Sequence, residues 1–158
     1  MHPVSSIESF AHEPWLSFVL AGQHYAVPLS QVSEVIRDTA PTPVPGAAPD
    51  LLGICHLRGM IVPVMEGRRR LGLQAVAAAD PAAVRLVVLM HESHRVGLRV
   101  DAIGELLQPD AASIELSPGR SGRADDPVCA VMGNPKGFVA LLDVARLCRL
   151  DGGRNEAA

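Results

Sequence analysis

Short apolar runs separated by turn residues recur along most of the chain, and few of them are long enough for a helix. Trp15 to Ala21 and His24 to Leu29 flank Gly22-Gln23, and Leu51 to Leu57 and Met60 to Met65 flank Arg58-Gly59. Arg85 to His91 and Arg95 to Asp101 lie about Glu92-Ser93-His94, and Val128 to Met132 and Gly137 to Leu142 lie about Asn134-Pro135-Lys136. Runs of about four to eight residues rich in Val, Leu and Ile, bounded by Gly, Asn, Ser or Pro, read as strands joined in hairpins. The pattern predicts an all-β chain.

The remaining segments fit between these hairpins. Ser30 to Arg37 reads as one helical turn entering a strand, and Ala40 to Asp50, with Pro41, Pro43, Pro45 and Pro49, as an extended loop, because each proline fixes φ and removes a donor. Arg68 to Leu73 suits a short helix, Gln74 to Ala83 a surface connection, and Pro109 to Pro127 a long loop. Ile103, Leu106 and Leu107 continue the third hairpin. Asp143 is placed to cap a last helix over Val144 to Leu150. Residues 1–14 and 151–158 are polar or Gly-rich and are expected to fray, which puts the fold in residues 15–150.

The two halves of that region echo one another in the same order. Val27-Pro28-Leu29 followed by Val32, Glu34, Val35 and Ile36 matches Val96-Gly97-Leu98 followed by Ile103, Glu105, Leu106 and Leu107. Gly59, the run Met60 to Met65, Glu66 and Arg69-Arg70-Leu71 match Gly137, Phe138 to Leu142, Asp143 and Ala145-Arg146-Leu147. The echo predicts two small β units, each closed by a short helix. Short strands bury their edges best by closing into barrels.

Composition narrows the partners. Leu, Ile, Val and Phe make 45 of 158 residues, about 28%, enough for a packed core, while aromatic residues are only 3%. Fourteen basic residues, thirteen of them Arg, face 17 acidic ones for a net charge of -3, which does not fit a nucleic-acid binder. The longest stretch without formal charge, Pro14 to Ser33, holds two prolines and several polar residues and cannot be a membrane span. Met1 to Glu13 has neither a basic nor an apolar leader region. Cys55, Cys129 and Cys148 form no CxxC pair. Together these features lead us to expect a cytoplasmic protein without direct membrane insertion.

Leu52-Gly53-Ile54-Cys55-His56-Leu57-Arg58-Gly59-Met60-Ile61-Val62-Pro63-Val64 resembles the signature of CheW-like domains, in which Gly-Ile/Val leads into Asn-Leu-Arg-Gly and then Val-Pro-Val/Ile. Phe18-Val19-Leu20, Tyr25-Ala26-Val27-Pro28, Val32-Ser33-Glu34-Val35-Ile36, the Val44 to Pro49 loop, Val96-Gly97-Leu98-Arg99-Val100-Asp101 and Leu141-Leu142-Asp143 follow in the family order, so the resemblance covers about residues 15 to 150. It implies two five-stranded SH3-like barrels packed together. It further implies a non-enzymatic, cofactor-free adaptor between a methyl-accepting chemoreceptor's cytoplasmic hairpin tip and the regulatory domain of a CheA-type histidine kinase, at membrane-associated receptor arrays. Two positions depart from the pattern: His56 stands where Asn is usual, and Glu66-Gly67-Arg68 where Asp-Leu-Arg is usual. The departures leave open a CheW-like role in another chemosensory pathway, such as surface motility or second-messenger control.

An adaptor needs apolar contact area, small residues that admit a partner backbone, and a few charges that set register. The candidate partner-binding residues are Val32, Glu34, Val35, Ile36, Gly53, Leu57, Arg58, Gly59, Val62, Gly97 and Asp101. Several have structural alternatives: core for Ile36, turn or bulge geometry for the glycines, and turn capping for Asp101. Arg58 is expected in an exposed turn, where its fork would pair either with a partner carboxylate or with Glu34. Arg68-Arg69-Arg70 reads as a solvated helix face. His91, Glu92 and His94 around one turn raise a metal-binding alternative, a small-ligand or metal-binding barrel, but no third spaced ligand accompanies them. Nucleophile-elbow, Walker and dinucleotide motifs are absent, and no enzymatic activity is expected.

Overall fold

The computed structural model describes residues 7–74, 78–116, 126–135 and 137–149. Eleven strands form two sheets: β1 (Trp15–Leu20), β2 (Gln23–Pro28), β3 (Val32–Arg37), β4 (Leu51–Leu57), β5 (Met60–Glu66), β6 (Arg85–His91), β7 (His94–Val100), β8 (Ala102–Leu107), β9 (Ile114–Leu116), β10 (Val128–Asn134) and β11 (Gly137–Leu142). Three one-turn helices accompany them, α1 (Ile7–Phe10), α2 (Gly67–Arg70) and α3 (Val144–Leu147). The third helix is thus shorter than the expected span to Leu150, a residue outside the described set. The tail 151–158 also lies outside it.

One sheet has the order β3-β6-β7-β5-β4 and the other β8-β1-β2-β11-β10-β9. Under the echo, β3 corresponds to β8, β6 to β1, β7 to β2, β5 to β11 and β4 to β10, so the two orders agree strand for strand. The two expected units are present, but neither is made from one contiguous half of the chain. Hairpin β1–β2 belongs with β8, β10 and β11, and hairpin β6–β7 with β3, β4 and β5. Two short parallel seams join the halves, Val64↔Gly97 to Glu66↔Arg99 between β5 and β7, and Val139↔His24 to Leu141↔Ala26 between β11 and β2. Apolar alternation decides which face of a strand is buried but not which hairpin lies beside it, so this exchange has no local signature. The six-stranded sheet also exceeds the expected five by β9, inside the stretch read as loop.

Local chemistry explains the turns. Ala21-Gly22, Arg58-Gly59 and Glu92-Ser93 all have positive φ at both residues, the geometry of two-residue turns that match the twist of the flanking strands. The first hairpin turns one residue earlier than expected, at Ala21-Gly22. Glu66 and Asp143 cap α2 and α3: their carboxylates accept from the backbone N–H of Arg68 (3.4 Å) and of Ala145 (2.9 Å).

A shared cluster fills the space between the sheets. Phe18, Leu20, Tyr25 and Val27 of one hairpin meet Val87, Leu89, Leu98 and Val100 of the other, with Met65, Leu142, Val144 and Leu147 around them. Each such side chain contributes about 1.5–3 kcal/mol through removal from water. A second cluster lies inside the six-stranded sheet, with Trp15, Ala26, Ile114, Ala130, Met132, Val139 and Leu141. Phe10 belongs to it and is 1% exposed, and its carbonyl accepts from Trp15 Nε1–H at 3.0 Å. The expected fraying of residues 1–14 therefore does not extend to α1, because its single aromatic closes the barrel interior. In the five-stranded sheet the alternate face buries Val62, Val64, Leu86 and Val88.

The arginine run is a further correction. Arg68 is 6% exposed, and it donates to Asp101 through Nε (3.2 Å) and Nη2 (2.7 Å). Asp101 also accepts from Ala21 N–H at 2.8 Å, so one carboxylate ties α2, the end of β7 and the β1–β2 turn. Arg70 donates to the carbonyls of Leu147 (2.9 Å) and Arg146 at the end of α3. Only Arg69 is exposed in the way the run suggested. Gly67 now has a reason: a Cβ there would lie 2.5 Å from the carbonyl oxygen of Arg99 and 3.1 Å from Leu20.

Candidate functional site

The β4–β5 turn presents Arg58 to solvent with its φ at 52°, and Gly59 follows at 78°. A glycine suits the second position because a side chain there would be strained, although no neighbouring atom crowds it. Arg58 then reaches across to β3 and donates through Nε (2.9 Å) and Nη2 (3.0 Å) to the two carboxylate oxygens of Glu34. The Arg58 side chain is 72% exposed, against 19% for Glu34. Its guanidinium bonds hold the Glu34 carboxyl below the ordinary Glu range, and Arg95 adds to that pull. Of the two pairings open to Arg58, the internal one is made.

Apolar surface surrounds this pair. Met60 is 42% and Ile61 60% exposed, immediately after the turn. Arg95 on β7 donates to Met60 Sδ at 2.8 Å and to Ser33 Oγ at 3.4 Å, which joins β3, β5 and β7 at one end of the five-stranded sheet. Beside them is a groove of about 320 Å³ lined by Met60, Ile61 and Pro63 of β5, Val96 of β7 and Cys148 after α3. The β6–β7 turn, with His91 and His94, forms its other rim.

The structure separates the other candidates into two groups. Val35 is exposed at 39%, and Val32, Ile36 and Leu57 are half-buried around the pair. Gly53, Val62 and Gly97 are buried and offer no surface. A Cβ on Gly53 would lie 2.2 Å from the Thr42 carbonyl oxygen, where the proline-rich loop bridges to Ile54, and Gly97 packs on Val64 at ordinary contact distance. Asp101 is turned inward to Arg68 and Ala21, in the turn-capping role given as its alternative. Residue-by-residue reading missed Met60, Ile61, Arg95 and Cys148. A signal existed for one of the first two: β5 is apolar at consecutive positions, so one of Met60 and Ile61 must face away from the barrel interior.

His91 lies 3.8 Å from Glu92, and among the described residues no group of three or more His, Cys, Asp or Glu side chains is placed to hold a metal ion. Burial pushes the Cys129 and Cys148 thiols up to about 12, and raises Cys55 as well. The three cysteines are free. No helix among the described residues is long and apolar enough to cross a membrane.

With this arrangement of two exchanged sheets and an Arg-Gly turn, the family model described as the CheW-like domain matches residues 14–151. The chain belongs to the CheW-like family. It is similar to the chemotaxis protein CheW of Bacillus subtilis (strain 168), 30% identical over 106 residues, or 67% of each chain. The similarity to CheW of Treponema pallidum (strain Nichols) is 22% over 135 residues, covering 84% of this chain and 79% of that one. In three dimensions it resembles the crystal structure of the scaffolding protein TtCheW from Thermoanaerobacter tengcongensis, with a TM-score of 0.78 and 25% identity over 89% of this chain and 94% of the other. The two sheets are the SH3-like barrel subdomains of a CheW-like scaffold.

Proposed function

We propose that this CheW-like protein is a non-enzymatic adaptor that couples a chemoreceptor to a CheA-type histidine kinase. The observation that carries the reading is the Arg58–Glu34 fork, held at the surface beside exposed Met60 and Ile61 and the adjoining groove. Apolar ridges of a helical hairpin suit such a groove, and a charge pair at its edge sets register. In this reading the receptor's cytoplasmic hairpin tip docks at the groove, the kinase regulatory domain pairs with another barrel surface, and the protein works in the cytoplasm at membrane-associated receptor arrays. Val32, Val35, Ile36, Leu57 and Gly59 complete the receptor surface, while Gly53, Val62, Gly97 and Asp101 support it from within.

The departure at His56 favours a second reading, a CheW-like coupling protein of a different chemosensory pathway. His56 is exposed on β4, next to the Leu57-Arg58 step, so it is available to select a partner. Gly67 is buried and carries no such information.

Calorimetric titration with the kinase regulatory domain and with a soluble receptor hairpin tests the proposal. Binding of both, with Arg58→Ala weakening the receptor step about tenfold and leaving the melting temperature within about 2 °C, is expected. Absence of binding to either at about tens of micromolar would overturn it. A melting loss well beyond that margin would make Arg58 a structural residue.

A further inference from the structure

Two walls of the groove come from segments far apart in the chain. Met60, Ile61 and Pro63 belong to β5, which runs directly into α2, whereas Cys148 is the residue that ends α3. The β5 wall is fixed by its pairing with β4, and the parallel seam with β7 holds the strand just beyond it. Cys148 has no strand to hold it. Its place depends on a helix of four residues, Val144–Leu147, which Val144 and Leu147 anchor in the shared core and whose C-terminal carbonyls need a partner from outside the helix.

A side chain from α2, the helix that follows the β5 wall, reaches α3. Arg70, at the end of α2, donates to the carbonyl oxygens of Leu147 and Arg146, and its side chain is 15% exposed with Asp50 at 3.9 Å. Carbonyls at a helix C-terminus lack intrahelical partners, and a guanidinium there answers both the hydrogen-bonding need and the negative end of the helix dipole. Arg146, which the sequence echo sets beside Arg70, stays local, donating to the Asp126 carbonyl at 3.3 Å and approaching Asp143 at 3.6 Å. Only Arg70 of this pair crosses between the helices in this way.

We infer that Arg70 is a positioning residue, a latch that holds the end of α3 and so fixes Cys148 as the second wall of the groove. The latch sets the groove's width, and thereby its affinity for a partner that Arg70 itself does not touch. The fork matters as well as the charge, because two carbonyls are held at once: lysine offers one compact ammonium where arginine offers two directed donors. The link to affinity rests on the proposed docking of a receptor hairpin in this groove, while the link to Cys148 does not.

Cys148 reports on its own wall. Held in place, it is half-buried with a thiol displaced far above the neutral range, so it should alkylate slowly. Site-resolved mass spectrometry after iodoacetamide treatment of the folded full chain gives its rate, with Cys55 as an internal reference. Expected is a rise of about tenfold or more in the Cys148 rate for Arg70→Gln, a smaller rise for Arg70→Lys, and no change for Arg146→Gln, with Cys55 constant in all three. A parallel titration with the receptor hairpin is expected to show weaker binding in the same order.

A Cys148 rate within about twofold of the parent in Arg70→Gln would overturn the latch, whatever happens to binding. A raised rate with unchanged hairpin affinity would overturn the claim that the wall sets affinity. If the parent protein binds no hairpin while the rate still rises, the docking proposal fails and the latch stands. Should Arg70→Gln not fold, Arg70→Lys decides: a parental Cys148 rate in that variant would overturn the two-carbonyl fork.

Discussion

The two barrels follow the same strand order but are finished differently. The six-stranded one closes its interior with rings, Phe10 from α1 on Trp15 at 5.6 Å between centroids, and adds the edge strand β9. The five-stranded one fills its interior with aliphatic residues and directs its arginines outward or across: Arg58 to Glu34, Arg95 to Met60, and Arg99 to Asp38 at 3.0 Å through two nitrogens. Two units with one strand order thus differ in finish, one being built for closure and the other for a charged, partly apolar rim. The difference is one of emphasis, since the six-stranded sheet still exposes Phe138 at 75% and Leu106 at 57%.

Removing the ring that closes the six-stranded barrel is the largest test of this contrast. Phe10→Ala is expected to lower unfolding free energy by about 3–4 kcal/mol in urea titration, the cost of emptying an aromatic core site. A loss below about 1 kcal/mol would show that α1 merely lies against a barrel already closed. Next comes the charge pair that joins the two barrels. Arg68→Met leaves Asp101 in a largely buried place with the Ala21 N–H still donating to it but its guanidinium partner gone, and a loss of about 3 kcal/mol is expected. Adding Asp101→Asn should recover part of that loss, since the amide oxygen still accepts from Ala21 and the buried charge is gone. A double variant as unstable as the sum of the singles would mean that the two residues act separately.

The smallest effect concerns the exposed rim. Because the folded Glu34 carboxyl titrates below its unfolded value, the fork with Arg58 is complete above the ordinary Glu range and is lost as pH falls through the lowered folded value. Carboxyl NMR should place the Glu34 midpoint below that of a model glutamate, and Arg58→Ala should bring it back up. A midpoint unmoved by Arg58→Ala would mean that the fork is not formed in solution.

Much of this was legible in the chain, and the failures have identifiable causes. Four hairpins and their order followed from aliphatic runs and turn residues, and the echo anticipated two matched strand orders. The exchange of hairpins was not legible, because Val64↔Gly97 and Val139↔His24 are long-range pairings made through the backbone, indifferent to side-chain type. Arg58 and Glu34 stood out as candidates through the resemblance at the Leu57-Arg58-Gly59 turn and the Val32 to Ile36 run, and the exposed turn made Glu34 one of two possible partners for the Arg58 fork. Arg68 looked solvated because a run of three cations usually is, and the carboxylate that buries it is 33 residues away. Phe10 was missed because one aromatic in a polar stretch has no periodicity to mark it.

The exchange of hairpins also governs the order in which the fold can be assembled as the chain leaves the ribosome. The five-stranded sheet has all its strands once Val100 has emerged, yet β1 and β2, made first, must wait for β8, β10 and β11, the last of which ends at Leu142. Until then, the hairpin carrying Phe18, Leu20 and Tyr25 can gain β8 beside β1 but lacks β11 beside β2. Pairings across so much sequence are slow to form and leave apolar edges open meanwhile, so the β2 edge of this hairpin stays open to aggregation until β11 has been made.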